Sequence, residues 1–176
     1  MAGPSSGMID GPLGRGYNTS RMPRFKRRPL RLDRLFVSPP LYFVTFCTHS
    51  RAKWLASDPI HAALVEFGKL AERDHGIAIG RYVIMPDHIH LFVPGGIDFV
   101  LGPWVGLLKQ VVAKAGGHST SRGQIWQEGF FDHLLRNDES YQQKWIYVRD
   151  NPVRAGLAER SDDWPYQGEI VYIDRA

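Results

Sequence analysis

A chain of 176 residues, 43% of them apolar and with a formal charge of +4, has room for one domain with a true hydrophobic core. No apolar run approaches the ~18–20 residues of a membrane-spanning helix. The single Cys47 excludes a disulfide framework and a cysteine-based zinc site, and fits a reducing cytosol.

The charge is unevenly placed. Residues 1–34 hold eight Arg and Lys against Asp10 and Asp33, a charge of +6, which leaves −2 for the rest of the chain. The sequence therefore divides into a basic N-terminal arm over 1–34 and a near-neutral domain over 35–176. Residues 1–22 are rich in Gly, Pro and Ser, lack periodicity and are expected to be disordered. They contain no apolar h-region of a secretory signal. Their Arg-rich, acid-poor look is that of an organelle transit peptide, but the basic run continues straight into the domain. Met22-Pro23-Arg24 could equally serve as a start, and the sequence leaves both open. A basic arm beside a neutral domain points to nucleic acid or another polyanion, or else to a solvated leader.

The β-branched and aromatic run Leu41 to Thr48, after Pro39-Pro40, predicts a first strand. Asp58-Pro59 supplies an N-cap and a proline for the first helical position. Ile60, Leu64, Phe67, Leu70 and Ala71 then recur at helical spacing until Gly76 closes the helix. Ile77 to Met85 reads as a second strand, and the tight Pro86-Asp87 link makes the following strand its antiparallel neighbour. Gly95-Gly96 ends that third strand. Either Asp98 or Gly102-Pro103 starts a second helix with Trp104, Leu107, Leu108, Val111 and Ala115 on one side, stopped by Gly116-Gly117. A polar loop with Ser119, Thr120, Ser121 and Arg122 leads to a fourth strand from Ile125-Trp126 to about Leu134. This β-α-β-β-α-β order predicts an α+β fold, the split βαβ arrangement of a ferredoxin-like sandwich, with helices on one sheet face and the other face open. Asn137-Asp138-Glu139 caps one added C-terminal helix.

The third strand carries His88-Ile89-His90. Residues two apart share a face, so His88 and His90 project together onto the open side while Ile89, Leu91 and Val93 face the helices. Two adjacent imidazoles can hold one divalent cation, although imidazole is also a frequent bystander. On the last helix, Tyr141, Trp145 and Val148 fall at i, i+4 and i+7, a core stripe. Tyr147 lies about 120° from that stripe, with Lys144 and Asn151 on its side. A half-exposed interface tyrosine would look the same. Asn151, preceding Pro152, also has the position of a helix C-cap.

Four segments carry a resemblance. Met85-Pro86-Asp87-His88-Ile89-His90-Leu91 is followed by Trp126-Gln127-Glu128-Gly129-Phe130-Phe131-Asp132-His133-Leu134-Leu135-Arg136, then by the run from Tyr147 through Asn151-Pro152 to Leu157 and by Trp164-Pro165-Tyr166. Over about Leu41 to Tyr166 the chain resembles the single-tyrosine HUH transposases of bacterial insertion sequences, in particular the domesticated REP-associated tyrosine transposases. The resemblance implies cleavage and joining of single-stranded DNA through a 5′-phosphotyrosine intermediate, on a ferredoxin-like fold, with a divalent cation. It implies that His88 and His90 are the cation-binding pair, that Tyr147 on the added C-terminal helix is the nucleophile, and that Asn151 is a polar third ligand. The arm is longer than the family needs, and Tyr141 is a second tyrosine on the same helix, ranked below Tyr147 because it lies on the apolar stripe.

A phenol with a free pKa of ~10 needs in-line placement and help with charge, which a cation on the phosphate oxygens would give. Imidazole ligands suit Mn²⁺ and later metals better than Mg²⁺, and Mg²⁺ is the abundant ion, so Mg²⁺ or Mn²⁺ is the expected cofactor. Expected partners are single-stranded or hairpin DNA of repeat elements, with Arg24, Lys26, Arg27, Arg28, Arg31 and Lys144 as DNA contacts. Neither a membrane nor a small-molecule cofactor is expected; the assembly is a monomer or homodimer in the bacterial cytoplasm. Two alternatives stay open. One is a non-catalytic hairpin DNA/RNA-binding protein that stacks bases on an RRM-like sheet through Tyr42, Phe43, Phe46, Tyr82 and Phe92. The other is a metallohydrolase using His88, His90 and His133.

Overall fold

The computed structural model describes residues 40–96, 98–118, 124–135 and 138–173. The whole basic arm, with Arg24, Lys26, Arg27, Arg28 and Arg31, lies outside the described residues, as do the Ser119–Arg122 loop and the Asn137 cap.

The first strand, β1, runs from Leu41 to Cys47. Helix α1 follows over Asp58–His75. Its cap position is Ser57, one residue earlier than the sequence suggests, because the Ser57 carbonyl accepts the His61 N–H at 3.0 Å. Pro59 sits in the first turn, and Gly76 closes the helix in the left-handed region at φ 63°, its N–H donated to Glu72. Strand β2 spans Arg81–Ile84 and β3 spans His88–Pro94. The expected start of β2 at Ile77 is four residues early, since Ile77 is tied back to Ala71 at the end of α1. Helix α2 covers Leu101–Ala115, with Pro103 in its first turn.

Strand β4 is shorter than expected, Phe131–Leu135. Trp126 makes only an isolated bridge to Thr48. Between the two the chain leaves the sheet, and Lys109 of α2 donates to the carbonyls of Gln127 and Gly129. Helix α3 spans Asp138–Arg149, a short helix α4 spans Asn151–Arg154, and a last strand, β5, spans Gln167–Glu169.

The strands form one sheet in the order β4-β1-β3-β2-β5, with every pair antiparallel. The fifth strand was not expected. It is delivered by Trp164-Pro165-Tyr166: the Trp164 indole N–H donates to the Ile84 carbonyl, and the Ile84 N–H to the Tyr166 carbonyl.

Alternation along β1 and β3 divides the core. Val44, Phe46, Ile89, Leu91 and Val93 face α1 and α2, where they meet Leu64, Phe67, Trp104, Leu108 and Val111. Leu41, Phe43 and Phe92 face the other way and are covered by Tyr141 and Val148 of α3. The second sheet face is thus only partly open. Tyr141, Trp145 and Val148 cover its lower half, because an apolar stripe on a helix needs an apolar surface to bury against. The end carrying His88 and His90 is less fully covered, and both rings are partly buried there. None of the described helices is long and apolar enough to cross a membrane.

Candidate functional site

Strand pairing places the two histidines. In the β1–β3 register Cys47 lies opposite His88, Thr45 opposite His90 and Phe43 opposite Phe92. Both imidazoles therefore emerge on the face away from α1 and α2, with ring centroids 4.7 Å apart and planes at 85°. Ile89 between them is fully buried on the opposite face.

Each ring is held through Nδ1. His88 Nδ1 lies 2.6 Å from Asp87 Oδ1, so the ring donates to the carboxylate. His90 Nδ1 lies 2.7 Å from Thr45 Oγ1. Phe43 stacks on His90 with centroids 5.5 Å apart and planes at 19°. Burial lowers the pKa of His88, opposed by Asp87. His90 is pushed down to about 3, first by burial and then by the charges of His88, Arg51, Lys144 and Arg154. Both rings are thus neutral near pH 7; His88, whose Nδ1–H donates to the Asp87 carboxylate, presents the Nε2 lone pair, and His90 does so in the tautomer that donates to Thr45.

This donor set fits a divalent cation. Two neutral imidazoles stand side by side, and one is oriented by a carboxylate behind it, the usual support of a metal-bound histidine. Among the described residues no third His, Cys, Asp or Glu completes a metal-binding group with them. His133 is exposed on β4 and joins no such group among the described residues.

Asp87 is shared. Its Oδ2 accepts from Arg51 Nε at 2.9 Å, and Arg51 Nη1 lies 2.9 Å from Cys47 Sγ. Arg51 ends a 3-10 turn, His49–Arg51, in which Ser50 (φ 51°) and Arg51 (φ 56°) are both left-handed. Two successive non-glycine residues in that region cost roughly 1–2 kcal/mol each. The Thr48 N–H and hydroxyl both bond the Asp87 carbonyl, fastening this turn to the start of β3.

Tyr147 projects from α3 and is 59% exposed, whereas Tyr141 is 1% exposed. The helix register is the one the spacing predicts. Arg154 of α4 lies over the Tyr147 ring, 4.0 Å from its centroid, and donates to the Tyr147 carbonyl at 2.7 Å. Lys144 lies 6.0 Å from the Tyr147 centroid and 5.3 Å from that of Phe43. Phe43 and Lys144 thereby join the tyrosine to the His90 side of the site. Asn151 opens α4 instead of capping α3: its carbonyl accepts the Ala155 N–H, and Pro152 occupies the first turn. Its side-chain oxygen accepts from Arg154.

His88 and His90 share one sheet face, Lys144 and Arg154 are close enough for their charges to act on His90, and these two cations also contact Tyr147, with Arg154 bonded to Asn151 as well. Sequence reading gave no role to Thr45, Arg51, Asp87 or Arg154. Asp87 had a signal, its position beside His88. Arg154 had a weaker one, three residues after Asn151 on a helical turn. Thr45 and Arg51 had none, since strand register and a turn bring them in. The aromatics offered for base stacking, Tyr42, Phe43, Phe46, Tyr82 and Phe92, are all 9% exposed or less, so the sheet presents none of them to a nucleobase.

The sheet thus carries paired histidines on one strand, and a helix packed on it exposes a tyrosine. Residues 37–150 match the family described as IS200-like transposase, and the chain belongs to that family. It is 31% identical over 97 residues to the REP-associated tyrosine transposase of Escherichia coli (strain K12), a match covering 54% of this chain and 56% of that protein. It therefore spans about half the length of that relative. A Haemophilus influenzae protein provisionally described in the same terms is 28% identical over 142 residues, covering 74% of this chain and 80% of that one. A solved structure of a REP-associated tyrosine transposase bound to a REP hairpin shares the fold, with a TM-score of 0.59 at 23% identity over 81% of this chain and 93% of that one.

Proposed function

We propose that this protein binds hairpin DNA of repeat elements and cuts and rejoins an adjoining single strand through a covalent bond to Tyr147. One observation supports the proposal: two pre-oriented imidazoles lie within reach of the charges of Lys144 and Arg154, the same two cations that flank the solvent-exposed Tyr147.

In the forward step the Tyr147 oxygen attacks the scissile phosphorus, forming the O–P bond of a 5′-phosphotyrosine. The P–O3′ bond breaks, and the departing 3′-oxygen takes up a proton as the phenol gives one to water. Attack by a 3′-hydroxyl on the phosphotyrosine reverses these changes, so the ends can be rejoined without a nucleotide cofactor. Arg154 and Lys144 supply positive charge where the phenolate and the phosphate oxygens meet. Asp87 and Thr45 keep the imidazoles in the orientation seen.

His88 and His90 would hold Mg²⁺ or Mn²⁺ through Nε2, with Asn151 as third ligand if its bond to Arg154 yields. When bound, such a cation polarises the scissile phosphate as a Lewis acid. The E. coli relative and the hairpin-bound structure support the choice of DNA as substrate.

The test is a denaturing gel of the full chain mixed with labelled hairpins bearing single-stranded flanks, in Mg²⁺ or Mn²⁺. A labelled band at the mass of protein plus DNA is expected with the wild type and absent with Tyr147→Phe. Adduct from the Phe variant would assign the nucleophile elsewhere.

A further inference from the structure

Arg51 is more constrained than a surface ion pair requires. Exposed pairs contribute little to stability, yet this one sits on two consecutive left-handed residues, Ser50 and Arg51. The turn that bears them is bonded to the backbone of Asp87. Strain of this kind accumulates where a side chain must be held in one place for function. The guanidinium is fixed from two sides, by Asp87 at 2.9 Å and Cys47 Sγ at 2.9 Å, while its side chain remains 54% exposed and Asp87 only 16%. A planar guanidinium has five donors, and two contacts leave an edge for another acceptor.

Its place along the sheet says what that acceptor is. Following β1, Phe43 lies beside Lys144, Thr45 beside His90, Cys47 opposite His88, and Arg51 lies just beyond. From Phe43 to Cys47 is roughly 14 Å at the antiparallel rise, longer than one phosphate group covers. Cations therefore stand at both ends of the histidine pair, Lys144 and Arg154 at one and Arg51 at the other. Asp87, the carboxylate between them, is already shared by Arg51 and His88.

We propose that Arg51 binds a second phosphate of the single strand, the neighbour of the scissile one on the side away from Tyr147. This deepens the reading given above and rests on it for the identity of the strand. A bidentate guanidinium–phosphate contact would fix the strand on both sides of the bond to be cut.

The experiment measures binding of a fluorescent, mixed-sequence single-stranded 12-mer to the full chain by anisotropy over a range of salt. Arg51→Gln should flatten the log–log salt slope by roughly 0.7, the loss of one phosphate contact. Arg51→Gly is the second variant: glycine accepts the left-handed conformation, so it folds even if the Gln variant does not, and the same flattening is expected. Lys69→Gln, exposed on α1 behind the sheet, should leave the slope unchanged. Mn²⁺ binding without DNA, followed by electron paramagnetic resonance, should stay within about threefold of wild type, since the carboxylate that orients the His88 ligand belongs to Asp87 and not to Arg51. A slope unchanged in both Arg51 variants overturns the proposal. So does a drop in Mn²⁺ affinity with an unchanged slope, which would make Arg51 a support for Asp87 only. The slope is read without cleavage, so absence of a wild-type adduct in parallel samples would count against the strand-transfer reading and leave this result standing.

Discussion

Asp87 Oδ1 accepts the Nδ1 proton of His88 at 2.6 Å, and the same carboxylate pairs with Arg51 through Oδ2. A carboxylate in this position selects the ring tautomer and makes Nε2 the better donor. Removing such a support costs about 10–100-fold in metal affinity. Asp87→Ala should therefore weaken Mn²⁺ binding by about that factor, and His88→Ala or His90→Ala should lower it further. Isothermal titration of the DNA-free protein checks this. Chelator should abolish adduct formation while hairpin binding persists, with Mn²⁺ or Mg²⁺ restoring it. Full cleavage in excess chelator would show that the histidine pair serves another purpose.

The two tyrosines of α3 should separate cleanly. Tyr147 is 59% exposed and Tyr141 1% exposed against Phe92. Tyr147→Phe should shift stability by no more than about 0.5 kcal/mol, as surface changes do, while removing the adduct. Tyr141→Ala should cost about 3–5 kcal/mol, the range for a large aromatic lost from a core. Urea denaturation measures both. A Tyr147→Phe variant as unstable as Tyr141→Ala would mean the helix is rotated from the register described.

That register was legible because it needs only local spacing. Tyr141, Trp145 and Val148 repeat every three to four residues, and the repeat names the buried side of the helix. His88 and His90 were legible for the same reason, as alternate residues of a strand. Beyond one element the sequence carried less. Thr45 reaches His90 only through the β1–β3 register, and Arg51 reaches Asp87 only because its turn is left-handed where no glycine announces it. Strand β5 escaped notice because three residues, Gln167–Glu169, show no periodicity, and their pairing depends on Trp164 bonding Ile84. The half-covered second face was missed because a stripe on a helix tells that it is buried and not against what.

The low pKa of His90 fixes the sign of a pH effect. Its ordinary value is 6.5, and in the fold it is pushed down to about 3. Between those values the unfolded chain binds a proton that the folded one does not, so stability falls as pH falls from 6.5 towards 3 and is unaffected by this group well above 6.5. The slope from one such histidine is roughly 1.4 kcal/mol per pH unit, and His88, also lowered, adds to it. Denaturant midpoints of the metal-free protein at pH 7.5, 6.5 and 5.0 should show only a small loss over the first step from these groups and a several-fold larger one over the second. His90→Asn should reduce that loss. Equal pH profiles for the two proteins would remove His90 as its source.

The basic arm gives the remaining prediction. Its charge is +6 against −2 for the rest of the chain, so the domain by itself has little general attraction for phosphates. Each arm residue that neutralises a phosphate steepens the salt dependence of binding by roughly 0.7 in log–log slope on single strands and 0.9 on duplex. If Arg24, Lys26, Arg27, Arg28 and Arg31 all grip backbone, removing residues 1–34 should flatten the slope by about 3–4 units on single strands and more on a hairpin stem. The loss of affinity should be similar for a cognate and a scrambled hairpin, because arginines and lysines that meet only phosphates carry no sequence information. Adduct formation at saturating cognate DNA should be largely unchanged, since His88, His90, Tyr147, Asn151 and Lys144 all belong to the sheet and the helices packed on it. Anisotropy at several salt concentrations and a single-turnover gel on the same preparation measure the two effects. Loss of discrimination between hairpins at an unchanged salt slope would instead make the arm a reader of sequence, as arms that enter the minor groove are. The electrostatic outcome is the expected one, because six net charges concentrated in 34 residues form a field that falls off over a Debye length of about 8 Å and does not depend on which bases lie beneath it.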